Sequence, residues 1–261
     1  MSDNAYESEY QTKQGRTLLD QLPAQLDASM LAGIDQFHAG GAEAVSRLLR
    51  SGGVREGMTL IDLGSGLGGP ARLAATLGAT VIGIDQSPSF VDLATALSAR
   101  SGRADRVTFR VGDMTSVELP DHAADRVMLI HAQMNVPDKV GLARSIARLL
   151  RPGGALLLWE ICAAGDGDVP WPMPWSLDGH DSHLVSASDL RAALEQSGLQ
   201  VTDWADRTAW TGEWFRQTMS APPAAGPSLA GFLDRGPERL RNFARAVATG
   251  QVALIEGIAH A

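Results

Sequence analysis

One cysteine, Cys162, stands in a chain of 261 residues, which excludes an internal disulfide and a thiolate metal cage. Its place beside the apolar run Leu156 to Ile161 predicts a small buried core residue rather than a nucleophile. Long apolar runs are missing as well. None reaches the roughly 18 to 20 residues that span a bilayer, so no membrane partner is expected. Basic charge is scarce: 22 Lys and Arg against 30 Asp and Glu leave no basic stripe to neutralise a nucleic acid backbone. Met1 to Tyr10 lack the basic start and apolar core of a secretion signal, so a cytoplasmic location is expected. No internal repeat is visible.

What is present is regular. Met58 to Leu63 is a short apolar run closed by a glycine cluster, which predicts a buried parallel strand, with a helix over Ala71 to Leu77. The alternation continues through strands at Thr80 to Ile84, Arg106 to Val111, Asp125 to Ile130 and Ala155 to Trp159. Helices are expected from Ser87-Pro88 to Arg100 and over Lys139 to Leu150, the latter stopped by Arg151-Pro152-Gly153-Gly154. Beyond them come a helix at Ser188 to Ser197, a strand near Gln200 to Trp204, helical material from Trp210 to Ala248 and a last strand at Val252 to Ile258. Strict alternation of this kind predicts an α/β fold, a mostly parallel sheet with helices on both faces. The first fifty residues read as helices preceding the sheet.

In such a sheet, ligands bind beyond the carboxyl ends of the strands, where strand order reverses. Asp62-Leu63-Gly64-Ser65-Gly66-Leu67-Gly68-Gly69 falls there, and its glycines let a ligand approach the backbone. Asp85 closes the next strand nineteen positions after Gly66, where a carboxylate can accept hydrogen bonds from two ribose hydroxyls. Loop and carboxylate together predict a nucleoside-containing ligand. The loop also fits the G-x-G-x-x-G pattern, which keeps a nicotinamide-dependent oxidoreductase in view. Against that stand Asp62 just before the loop and Gly112-Asp113-Met114 at the end of the third strand, where Asp113 can receive an adenine amino group beside an apolar Met114 edge.

These residues resemble the core of class I S-adenosylmethionine-dependent methyltransferases over roughly residues 55 to 160. Asp35-Gln36-Phe37-His38-Ala39-Gly40-Gly41, Gln133-Met134-Asn135-Val136-Pro137-Asp138-Lys139 and Pro174-Trp175 with Leu184-Val185-Ser186 resemble the branch with sarcosine/dimethylglycine-type N-methyltransferases and many natural-product enzymes. The resemblance implies a Rossmann-like three-layer sandwich with a seven-stranded, mostly parallel sheet and an antiparallel last strand. Residues 1–50 would be an N-terminal cap, and 51–261 the methyltransferase domain with acceptor-lid insertions about 161–187 and 208–248. It implies S-adenosylmethionine as cofactor and S-adenosylhomocysteine as product, a small-molecule acceptor, and a homodimer as one candidate assembly. Asp62, Gly64 and Gly66 would line the methionyl end, Asp85 the ribose, Gln86, Asp113 and Met114 the adenosine, with Gln36 also on the cofactor and His131 beside the sulfonium.

Methyl transfer from a positive sulfur needs alignment above all, and well-aligned reactants gain about 7 to 11 kcal/mol. A hydroxyl or carbon acceptor also needs a base, so His38 and His131 are the candidate catalytic residues. Tyr6, Gln133, Asn135, Trp171, Trp175 and His180, with His38, are the candidate substrate contacts. A Trp face attracts an ammonium group by about 0.5 to 2 kcal/mol, which places an amine acceptor first, ahead of O- or C-methylation in natural-product biosynthesis. Trp210 and Trp214, at i and i+4, read as one buried helix face. His180-Asp181-Ser182-His183 with Asp178 is too loosely spaced for a metal cage, and no metal is expected. A protein that keeps the cofactor pocket for a non-methylating reaction, or only binds, is the remaining alternative.

Overall fold

The computed structural model describes residues 9–31, 33–221 and 228–261. Three helices lead in: α1 (Glu9–Gln21), α2 (Ala28–Leu31) and α3 (Gly41–Ser51). Alternation then follows, with β1 (Thr59–Leu63), α4 (Gly69–Thr76), β2 (Thr80–Asp85), α5 (Pro88–Arg100), β3 (Val107–Val111), β4 (Ala124–Ile130), α6 (Lys139–Leu149) and β5 (Leu150–Ala163). The chain ends with α7 (Ala187–Gln196), β6 (Gln200–Asp206), α8 (Thr208–Ser220), α9 (Leu229–Phe232), α10 (Gly236–Ala248) and β7 (Val252–His260). The strands form one sheet in the order β3-β2-β1-β4-β5-β7-β6. β3, β2, β1, β4 and β5 pair in parallel, and β7 runs antiparallel between β5 and β6.

Alternating side chains build a core on each face of the sheet, as the period of two along a strand requires. Leu60, Met128, Leu157 and Trp159 pack toward α3, α4, α8 and α10, where Leu48, Ala71, Phe215 and Phe243 meet them. Ile61, Val127, Leu129, Leu156 and Leu158 pack the other way, against Leu142 and Ile146 of α6 and Leu190 and Leu194 of α7. A third cluster joins Leu18 of α1, Leu31, Ile34 and Leu67 to Phe90, Leu93 and Leu97 of α5. Ser87 caps α5 by accepting from the Phe90 N–H, with Pro88 in the first turn. Cys162 is fully buried.

Two elements depart from the expected pattern. No helix links β3 to β4: residues 112–123 run as turns, because the Asp113 carboxylate binds the Thr115 N–H and hydroxyl and Pro120 interrupts the segment. Strand β5 starts at Leu150, five residues early, because Arg151-Pro152-Gly153-Gly154 joins the sheet through a shift of register opposite Ala124 and Arg126.

Candidate functional site

Strand order reverses between β1 and β4, and a cavity of about 360 Å³ opens there at the carboxyl ends of β1, β2, β4 and β5. One wall is the glycine loop. Gly64 and Gly66 have φ of 73° and 50°, values that favour glycine, and a Cβ on Gly64 would lie 2.6 Å from the Ala132 Cβ. A Cβ on Gly66 would meet open space, so its backbone faces the cavity. The Asp85 carboxylate closes this wall, accepting from the Gly66 N–H at 2.8 Å and the Ser87 N–H at 3.0 Å. Gln86 and Met114 also line it.

Asp62 lies just behind the loop, fully buried. Burial and the nearby Asp85 push its carboxyl up to about 7, against the pull of Arg72, and its Oδ2 has no hydrogen-bond partner. Asp113 does not line the cavity, since its carboxylate is turned onto Thr115.

The opposite wall is assembled from distant parts of the chain: Phe37, His38, Trp175, Trp214, Phe215 and Phe243, with Met219, Leu229, Leu233 and Leu240. His38 and His131 meet edge to face with ring centroids 5.9 Å apart, and His131 also meets Phe243 at 6.0 Å. Burial holds both imidazoles neutral: His38 is pushed down to about 4, with the Ala39 carbonyl pulling the other way, and His131 falls well below the usual histidine value, by burial and then by His38. The ring nitrogens of His38 both face acceptor oxygens, Nδ1 the Ala39 carbonyl at 3.1 Å and Nε2 the Gln36 Oε1 at 2.8 Å. His131 differs. Its Nε2 is buried without a partner, and its backbone is held at a φ of 47°.

The short helical turn Gln133–Asn135 supplies Met134 and Asn135 to the cavity. Glu160 and Lys139 brace it from either end. The Glu160 Oε1 accepts from the Ala132 and Gln133 N–H groups at 2.9 and 3.2 Å, and the Lys139 ammonium donates to the carbonyls of Gln133 and Val136. Burial pushes Glu160 up to about 7, opposed chiefly by those two backbone N–H groups, and pushes Lys139 down to about 8. Relative to an unfolded carboxyl near 4.5, the folded chain holds this proton longer, so the stability it confers is lost between pH 4.5 and about 7. Glu160→Gln keeps the acceptor oxygen and removes the titration. Its stability relative to the unsubstituted chain should rise across that window, by on the order of 3 kcal/mol, and level off above it in denaturant melts.

Of the residues singled out in the sequence, Gln36, His38, Gly64, Gly66, Asp85, Gln86, Met114, His131, Asn135 and Trp175 line the one cavity. Gln133 does not: it is fully buried and its amide donates to the Ile161 carbonyl at 2.6 Å. Trp171 stands a layer back, edge-on to Trp175 and against Gly179. His180 is exposed, its N–H bound to Asp178. Tyr6 lies outside the described residues. Among those residues, no three of His, Cys, Asp and Glu gather as a metal site would need, and no helix is long and apolar enough to cross a membrane. Trp214, Phe215 and the α9–α10 residues were not marked as site residues by the sequence. They fall within the 208–248 segment expected to form part of an acceptor lid, and the Trp210/Trp214 pair expected as one buried helix face splits: Trp214 lines the cavity, while Trp210 packs under Gly40, on Trp159 and beneath the Arg47 guanidinium at 4.4 Å.

Residues 61–158 match the family described as "Methyltransferase domain". Methyltransferase GfsG of Streptomyces halstedii is 33% identical over 190 residues, which cover 69% of this chain and 67% of that protein. The chain belongs to the S-adenosylmethionine-dependent methyltransferases. Sterol 24-C-methyltransferase erg6 of Aspergillus fumigatus is 32% identical over 165 residues, 59% of the methyltransferase described here and 44% of the sterol enzyme. The chain therefore spans less than half the length of that relative. A sarcosine/dimethylglycine methyltransferase-like protein of Galdieria sulphuraria has the same fold, with a TM-score of 0.65 at 19% identity over 84% of each chain. The methyltransferase cavity suits the cofactor of the family: a backbone cradle at Gly64 and Gly66 that any Cβ would narrow or strain, with a carboxylate at its rim.

Proposed function

We propose that this methyltransferase acts on a bulky, largely apolar small molecule and methylates it at an electron-rich carbon. The observation that carries the reading is the acceptor wall: Phe37, Trp175, Trp214, Phe215 and Phe243 with two neutral imidazoles, and neither Lys nor Arg among the described lining residues. An acceptor bearing a carboxylate or phosphate would call for a guanidinium or ammonium partner.

On this reading Gly64 and Gly66 hold the methionyl end of the cofactor, Asp85 the ribose, and Gln86 and Met114 the adenosine side. The bound cofactor supplies a methyl carbon already activated by a positive sulfur. The chain aligns the acceptor, excludes water and manages one proton. Methylation of a carbon–carbon double bond leaves positive charge on the acceptor, which aromatic faces stabilise. A C–H bond next to that charge is strongly acidic, so even a weakly basic, buried imidazole suffices to take its proton. His131, which lines the cavity and whose buried Nε2 has no hydrogen-bond partner, is the residue proposed to take it.

The sterol 24-C-methyltransferases to which the chain is similar are carbon methylators by name, and a natural-product acceptor fits the same wall. The amine acceptor expected from the sequence keeps one observation in its favour, since the Trp175–Phe243 corner, with centroids at 5.7 Å, also suits an ammonium ion. A panel of prenyl and sterol-like alkenes, enols, phenols and amines, scored by S-adenosylhomocysteine release and product mass, separates the two. Turnover confined to apolar carbon acceptors is expected, and turnover confined to amines overturns the proposal.

A further inference from the structure

A buried hydrogen-bond chain runs from the helix that leaves the glycine loop to the acceptor wall. Arg72 of α4 donates from Nη2 to the Asp35 Oδ2 at 2.9 Å and from Nη1 to the Ser98 hydroxyl at 3.1 Å. Gln36 donates from Nε2 to the Asp35 Oδ1 at 3.1 Å, and its Oε1 lies 2.8 Å from the His38 Nε2. Gly69, in the first turn of α4, makes room for the segment, since any Cβ there would collide with the Asp35 carbonyl and the Gln36 amide.

The chain has a direction set by chemistry. Burial raises the Asp35 carboxyl, opposed by the Arg72 guanidinium paired with it at 2.9 Å. Paired as a carboxylate it only accepts, which obliges the Gln36 amide to turn its NH2 group inward and its oxygen toward His38. That oxygen also only accepts, so the His38 nitrogen facing it must carry the hydrogen. The other ring nitrogen, Nδ1, also faces an acceptor, the Ala39 carbonyl at 3.1 Å, but a neutral ring has one hydrogen to give: the Gln36 contact is the shorter, and the Ala39 carbonyl already accepts from the Trp159 indole N–H at 2.9 Å. One tautomer is thereby selected, Nε2–H with a bare Nδ1.

We propose that Arg72, Asp35 and Gln36 are positioning residues, a one-way hydrogen-bond chain that fixes the tautomer and ring orientation of His38 in the acceptor wall. The chain also locks that wall to α4, so the acceptor side and the glycine loop keep a constant spacing. The proposal rests on the reading of the cavity as the methyl-transfer site, but its first test needs no turnover.

Histidine-nitrogen NMR of the isotope-labelled full chain, with the His38 signal assigned by its loss in His38→Phe, reads the tautomer directly. A neutral Nε2–H ring is expected, and an Nδ1–H ring overturns the proposal. The second test is the double variant Asp35→Leu/Arg72→Met. Replacing a buried ion pair with apolar groups of similar size usually preserves folding, whereas removing one partner does not. The variant should melt within a few degrees of the unsubstituted chain, show a mixture of His38 tautomers, and lose kcat by roughly tenfold or more at unchanged KM for S-adenosylmethionine. An unmixed Nε2–H signal or full kcat in that folded double variant contradicts the proposal.

Discussion

Replacing Asp85 with alanine is expected to weaken binding of S-adenosylhomocysteine by roughly 100-fold or more. The carboxylate stands at the end of β2 at the rim of the cavity, tied to the Gly66 and Ser87 N–H groups at 2.8 and 3.0 Å. An ionised carboxylate has about four acceptor positions, which it can share between backbone N–H groups and ribose hydroxyls. Hydrogen bonds to a charged acceptor contribute about 1.5 to 3 kcal/mol each, so the loss of two amounts to about 3 to 6 kcal/mol, and 1.4 kcal/mol is tenfold. The same substitution releases Gly66, which loosens the cradle as well. Calorimetric titration of the variant gives the number. Affinity within about threefold of the unsubstituted chain would place the ribose elsewhere.

His131→Asn carries the second large effect, a fall in kcat of roughly 100- to 1,000-fold with little change in cofactor affinity. Asparagine suits the site because it tolerates the left-handed backbone, here with a φ of 47°, that most side chains resist. It keeps a polar group but cannot take up a proton. The pH dependence gives an independent check. Burial holds the folded imidazole well below 6.5, so the neutral form prevails across neutral and mildly acid solution. His131 itself should therefore add no break to the kcat profile near 6.5, whereas the buried carboxyls of Asp62 and Glu160, both raised to about 7, do titrate in this range. A break near 6.5 that disappears in His131→Asn would mean that this imidazole titrates as a solvated one.

Much of the scaffold is legible in the sequence because the parallel strands are short apolar runs with their turn chemistry attached. Leu60/Ile61 and Leu157/Leu158 alternate between the two cores, and Ser87-Pro88 marks the start of α5. The glycine loop and Asp85 are legible for the same reason, since β1, its loop and β2 form one local unit. The β3–β4 link and the start of β5 are not, because a short loop with Pro120 and a bulge at Gly153-Gly154 are decided by the neighbouring strand.

The acceptor wall is legible only in part: His38, His131 and Trp175 are singled out by the sequence, whereas Phe37, Trp214, Phe215 and Phe243 are not. His131 meets Phe243, Trp159 meets Trp210, and Trp175 meets Phe243, all across long stretches of chain. A polar residue near a strand end is equally ambiguous: Gln133 reads as a substrate contact, yet its amide serves the Ile161 backbone, whereas the adjacent Met134 lines the cavity. His180, in a lid-like run, faces solvent for want of any apolar neighbour in its turn.

On the proposed reading, the cavity holds the cofactor against the glycine loop and an apolar acceptor against the aromatic wall. Titration of the purified chain with S-adenosylhomocysteine and, separately, with NAD tests it most directly. One S-adenosylhomocysteine per chain at micromolar affinity, lost in the Asp85→Ala variant, is the expected result. Tight NAD binding with no heat from S-adenosylhomocysteine would contradict the account.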